Sequence, residues 1–279
     1  KVATNREPAA KPTFLVPSRK ALAMFMRRFA RTAAPLAARA LSAEAAAMPA
    51  RKIGGCVAEL ERLQTKVPWW QTAFLRLGGT FDDAQWQSAA GSDMYVLVES
   101  QAQAPEFYDA AFGALPDRVY TRLQVQGLLS WILHVRLREE PKERFTVLFS
   151  EMMEHVWNSF TLDLARGEHK MGFIEISKHL KAAQYSWHGC CKALDAALLS
   201  DSPREEIAAV LLRNLYTDEE GDPLVGEDGQ VEPEIERAAA WCVEYVLAQR
   251  VHLAGIDADD VLMGRVTWAP SPQGSKSSE

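Results

Sequence analysis

The sequence lacks the signatures of common enzyme chemistry. It has no Gly-x-Ser-x-Gly elbow, and neither Gly54-Gly55 nor Gly78-Gly79 has the flanking lysine or the spacing of a phosphate-binding loop. It has only four cysteines, Cys56, Cys190, Cys191 and Cys242. They form no disulfide framework, and the adjacent pair Cys190-Cys191 would bridge only with strain, which points to a reducing compartment. No apolar run reaches the length of a bilayer span. The best stretch, Leu123 to Leu137, holds Gln124, Gln126, His134 and Arg136, and one central arginine costs about 2.5 to 3.5 kcal/mol on insertion scales. A soluble or peripheral protein follows. Alternating strand patterns and internal repeats are missing as well, which leaves an all-α domain as the expected fold class.

What is present is apolar mass and a divided charge. With 48% hydrophobic residues in 279, the chain can bury a genuine core. The formal net charge of −6 hides an excess of +9 in Lys1 to Lys52, where eleven Lys and Arg face only Glu7 and Glu44, and a balance of −15 in the rest. An acidic body argues against nucleic-acid binding by the folded part, so no DNA partner is expected. From Met24 the sequence Met-Phe-Met-Arg-Arg-Phe-Ala-Arg-Thr-Ala-Ala-Pro-Leu-Ala-Ala-Arg-Ala-Leu-Ser is rich in Arg and Ala, with no acid before Glu44. That composition is expected of a mitochondrial presequence, with upstream read-through before Met24 and a mature start near Ser42. Residues 1–52 are therefore expected to be disordered, 53–270 to form one multi-helix domain, and 271–279 to be a disordered tail.

Helical periodicity organises the middle. A short helix over Ala58 to Val67 stops before Pro68, and Trp69-Trp70 opens an aromatic segment. Asp82 or Asp83 is placed to cap the next helix. Within Arg118 to Arg138, Leu123, Gly127, Trp131 and Val135 recur every four residues, with further apolar side chains nearly all round, so this is the central helix. Phe145, Phe149, Met152, Val156 and Phe160 make the stripe of the next helix, ended or loosened by Gly167. Ile176, Leu180, Ala183, Trp187, Cys190, Leu194 and Ala197 form the seam of a third. A helix from Pro203 to about Tyr216, with Ser202 as its cap, an acidic loop from Asp218 to Glu232 and a last helix bearing Ile235, Ala239, Cys242, Val246 and Leu253 complete the body.

Candidate chemistry is sparse. Glu151 with His155 and Glu175 with His179 are spaced four apart, whereas helical dimetal sites use Glu-x-x-His, and an exposed acid–base pair explains the spacing equally well. His188-Gly189-Cys190-Cys191 lacks the second ligand cluster of a closed zinc site, with Cys242 the one further thiol in its neighbourhood of sequence. In the acidic loop Pro223 stands where a calcium loop needs its turn glycine, and Gly229 where it needs its bidentate Glu. Asp257-Ala258-Asp259-Asp260 has no matching second aspartate motif and reads as a helix cap. His134 reads as a core histidine bonded to a neighbour, with an acid or base in a pocket as the alternative. Trp131, Trp157 and Trp187 read as core. Trp69, Trp70 and Trp268, at predicted domain edges, are better contact residues.

In order along the chain, these elements resemble the ubiquinol-cytochrome c chaperone family, the mitochondrial assembly factors of respiratory complex III. The resemblance covers about Trp69 to Pro270. It rests on Leu115-Pro116-Asp117 before the helix with Gln126, Leu129, Trp131 and Leu133-His134-Val135-Arg136, then on Met152, His155 and Trp157, on Leu211-Leu212-Arg213-Asn214-Leu215, on Tyr245-Val246 with Gln249, and on the closing Leu262, Gly264, Val266 and Trp268. Ala269, where the family often has a basic residue, and the acidic insertion around Asp222 to Glu232 depart from it. The resemblance implies a helical, non-enzymatic matrix protein, peripheral on the inner membrane, without cofactor or metal. Its expected partners are newly made cytochrome b, a small assembly-factor protein and the mitochondrial ribosome. Met152 and Met153 are expected to offer an adaptable apolar surface to such a client. Arg136, Arg138, Lys142 and Arg144, the densest basic cluster of the body, are expected either to touch rRNA, lipid or partner, or to be a solvated helix end. A helical metal- or lipid-dependent enzyme using His134, His155 or His179 is the alternative.

Overall fold

The computed structural model describes residues 55–166, 170–217, 224 and 231–272. The expected presequence, most of the acidic loop, Gly167 and the last residues of the tail lie outside the described residues. Among those described there are nine α-helices and no strand: α1 (Cys56–Lys66), α2 (Trp69–Leu77), α3 (Asp83–Ala102), α4 (Val119–Leu137), α5 (Lys142–Arg166), α6 (Phe173–Leu198), α7 (Pro203–Asn214), α8 (Pro233–Ala254) and α9 (Ala258–Leu262), with a 3₁₀ turn at Pro105–Phe107. The all-α expectation holds.

Helix α4 is the axis. Its apolar residues cover the whole circumference, and α3, α5, α6 and α8 pack around it. Leu129, Trp131, Ile132, Leu133 and Leu137 have almost no exposed surface. The expected seam of α6 is also the observed one, with Ile176, Ala183, Cys190, Leu194 and Ala197 buried and Leu180 and Trp187 half-buried against the core.

The most extensive helix pair is α3 with α5. They cross so closely at Gly91 that a Cβ there would lie 2.4 Å from the Leu148 carbonyl oxygen. Only glycine permits that approach.

Capping separates Asp257 from the other two expected caps, Asp82 and Ser202. Asp257 accepts a hydrogen bond from the Asp259 N–H at 2.9 Å and so caps α9. Asp82 and Ser202 hold the N-cap positions of α3 and α7, but neither side chain bonds the first turn. Both helices start instead because burial of their apolar faces fixes them.

The segment after α9 is strapped down. Gln249 is fully buried on α8, and its amide accepts from the Ala269 N–H at 2.7 Å while donating to the Ala269 carbonyl at 2.9 Å. Trp268 donates to the Leu97 carbonyl on α3 at 3.2 Å, and Trp241 donates to the Pro272 carbonyl at 3.1 Å. This clasp joins the end of the described chain to α3 and α8.

Candidate functional site

Helix α2 is built the wrong way round for a core helix. Trp69, Trp70, Ala73, Phe74 and Leu77 fall within an arc of about 140° at 100° per residue, which is the usual width of a buried face. Here that arc faces outward. Trp69 is 83% exposed, Trp70 50%, Phe74 70% and Leu77 86%. The half-buried side carries Gln71, Thr72 and Leu75. No residue of α2 is buried, and the helix packs extensively against no other described helix.

The surroundings of α2 differ in charge from the acidic body. Between Glu61 and Asp82 there is no carboxylate, while Lys66 and Arg76 flank the apolar arc. Pro68 precedes the first helical residue and has no N–H to leave unpaired, and Gly78 follows the last. The result is a short, bounded platform of aromatic surface. Sequence reasoning singled out Trp69 and Trp70 but missed Phe74 and Leu77. The spacing of four and three from the tryptophans, with Gln71 and Thr72 on the other side, was the available signal.

The expected basic cluster is not a free cationic patch. Arg136 is buried, donating from Nε to the Leu253 carbonyl at 3.2 Å and from Nη2 to the Ile256 carbonyl at 3.1 Å, and pairing with Glu140 at 2.9 Å. It supplies a donor to the Ile256 carbonyl beyond α8 and a second one to the Leu253 carbonyl, which also accepts from the Ile256 N–H at 3.1 Å. Arg138 forks onto both oxygens of Asp195 at 2.8 and 2.7 Å, and Arg144 pairs with Asp259 at 2.7 Å. Lys142 alone of the four is exposed without an internal bond of this kind.

Met152 and Met153 are likewise corrected. Both are buried, Met152 completely, because they stand on the α5 face that meets α3 and α4. They pack the core and offer no outer surface. Trp268, half-buried, serves the clasp.

The histidines of the enzyme alternative are placed apart from one another in role. His134 stacks on Phe149 with ring centroids 4.2 Å apart, and burial, with help from the Arg138 charge, pushes its pKa down to about 4. It is held by stacking, not by the expected hydrogen bond. His155 Nε2 lies 3.0 Å from Ser92 Oγ and 3.5 Å from a Glu151 carboxylate oxygen. A Ser-His-acid triad needs the carboxylate on the opposite ring nitrogen, so this arrangement ties α3 to α5 and does not prime a nucleophile. His179 is on the outside of α6.

Beside them, Asp195 accepts from Trp131 Nε1 at 3.0 Å as well as from Arg138. Burial raises its carboxyl, and the Arg138 and Trp131 hydrogen bonds outweigh that and hold it below the usual range. Burial pushes the Cys190 thiol up to about 11 and raises Cys191 further. Those thiols are protonated at neutral pH and are poor nucleophiles. Among the described residues, no group of three or more His, Cys, Asp and Glu side chains is gathered to hold a metal ion. Nor is any described helix long and apolar enough to cross a membrane.

Comparison with known proteins agrees with the helical reading. The model of the family described as ubiquinol-cytochrome C chaperone matches residues 112–268. The matched stretch begins after α3, so α2 lies outside it. No curated protein matches the chain. A solved structure, described as the crystal structure of the Cbp3 homolog from Brucella abortus, superposes with a TM-score of 0.56 at 21% sequence identity, over 72% of this chain and 99% of that one. At that identity the likeness speaks for the fold. The family match, however, takes in more than half of the sequence, from the turn before α4 through the clasp at Trp268, and the chain belongs to the ubiquinol-cytochrome C chaperone family.

Proposed function

We propose that this assembly chaperone of respiratory complex III acts by covering newly made cytochrome b, together with a small partner protein, and that the outward arc of α2 is its main apolar contact. The setting is the mitochondrial matrix, beside the ribosome and peripheral on the inner membrane. The observation that carries the reading is the inverted helix: Trp69, Trp70, Phe74 and Leu77 face out on a body that belongs to a chaperone family. A hydrophobic client released from a ribosome needs a surface of this kind until its own helices are paired.

Magnitudes favour a cooperative patch. Covering one such side chain contributes about 1.5 to 3 kcal/mol. Association costs about 4 to 15 kcal/mol in lost freedom, which one side chain does not offset, whereas four together, at about 6 to 12 kcal/mol, are of the same size. The tryptophans are the strongest anchors, since rigid aromatics give large contact area for little ordering entropy. No step in this reading transforms a substrate.

The test is capture after radiolabelled translation in isolated mitochondria. The natural chain should co-purify labelled cytochrome b, and a chain with Trp69, Trp70, Phe74 and Leu77 all changed to Ser should lose at least about tenfold of it. Equal recovery by both chains, or equal recovery of every translation product, contradicts the reading.

A further inference from the structure

The outer side of α6 carries a row of cations that the client reading leaves unused. Ile174, Lys178, Lys181, Tyr185, His188 and Lys192 fall within an arc of about 80°, and their alternating spacing of four and three keeps them in line over about 27 Å of helix. All six are exposed. Lys181 sits 5.9 Å from the centre of the Tyr185 ring, which turns the ammonium and the ring toward the same solvent.

No carboxylate stands free in that row. Glu175 points about 100° away from its centre. Asp195, at its edge, is held by both guanidinium nitrogens of Arg138 and by Trp131. In a chain that carries −15 beyond Lys52, an acid-free line of lysines is a local reversal of sign. It complements an anionic surface.

The uncharged members of the row select which anionic surface. Ile174 is 73% exposed and Tyr185 68%. A nucleic-acid backbone rewards charge, and single strands add stacking on several aromatics with arginine, but this row has one phenol ring, one imidazole, no arginine and an aliphatic side chain. A phospholipid surface uses the lysines and both apolar members: phosphates for the ammonium groups, and the acyl boundary for Ile174 and the tyrosine ring.

We infer that the outer row of α6 is a docking surface for anionic phospholipid headgroups, contacted through Lys178, Lys181 and Lys192 with Tyr185 and Ile174 entering the interface. This names the membrane-facing surface within the peripheral setting proposed above, and it does not depend on the client at α2.

Lysine acetylation footprinting read by mass spectrometry tests the inference on the full chain. Vesicles of phosphatidylcholine mixed with phosphatidylglycerol should slow acetylation of Lys178, Lys181 and Lys192 several-fold. Phosphatidylcholine alone should not, and Lys66 and Lys142 should keep their rates. Raised salt should remove the protection. The variant Lys178→Glu/Lys181→Glu/Lys192→Glu, altered only at exposed positions, should co-sediment with the anionic vesicles about tenfold less than the natural chain. Three outcomes overturn the inference: unchanged rates at the α6 lysines, protection by polyuridylate but not by vesicles, or equal sedimentation of variant and natural chain. Cytochrome b enters none of these readouts, so failure here leaves the α2 reading standing, and failure of client capture leaves this one.

Discussion

Helices α4 and α2 have similar apolar character and opposite fates. In α4 the residues from Leu123 to Leu133 are all buried, with neighbours on every side. In α2 nothing is buried, and its two tryptophans, phenylalanine and outer leucine face away from the core. Composition alone does not separate them. What does is supply of partners: α4 receives the faces of α3, α5, α6 and α8, whereas α2 is a short element between Pro68 and Gly78 to which no other described helix is fitted. On the proposed function the first kind holds the fold and the second is kept in reserve for another chain.

Substitutions around α4 should therefore unfold the protein, and substitutions in α2 should silence it. The largest loss is expected for Arg136→Ala, which strips the Ile256 carbonyl and the Glu140 carboxylate of their partner and takes the second donor from the Leu253 carbonyl. Denaturant titration should show a fall of about 3 kcal/mol or more. Gln249→Leu comes next. It leaves both the N–H and the carbonyl of Ala269 without the buried amide, at a cost of about 2 kcal/mol, and the clasp should become open to proteolysis before the rest melts.

A smaller effect follows from pH. His134 has a folded-state pKa of about 4, below its unfolded value, so the unfolded chain takes the proton first and stability falls as pH drops from about 6.5 toward 4. Asp195, held low in the folded state, adds to the loss in the more acidic part of that titration. His134→Phe should flatten the upper part of the profile in thermal melts, while the lower part persists. The smallest stability change is expected for the α2 variant with four serines, within about 1 kcal/mol of the natural chain. A large loss there would erase the contrast between the two helices.

Much of this architecture was legible in the sequence. The stripes of α5 and α6 and the all-round apolar pattern of α4 follow from a 3.6-residue period that only a packed helix rewards. Belonging to the chaperone family was legible too, in the order of elements from Leu115 to Trp268. The surface was harder to read. Arg136 looks like a solvated cation until the fold brings Leu253 and Ile256 to it, across more than a hundred residues of chain. Met152 and Met153 look adaptable until α3 closes over them. Phe74 and Leu77 share the spacing of a core stripe, and period alone does not say whether a stripe faces inward. The lysine row of α6 was hidden for a related reason: its seam was read for the apolar side, and the opposite side acquires meaning only once its acids are seen to be engaged or turned away.

The most direct measurement is a photocrosslink from the reserved face itself. A photoreactive phenylalanine analogue at position 74, introduced into the full chain during labelled mitochondrial translation, should give an adduct with cytochrome b, and the same analogue at Phe145, buried in the core, should give none. Adducts spread evenly over all translation products, or confined to a position away from α2, would contradict the account.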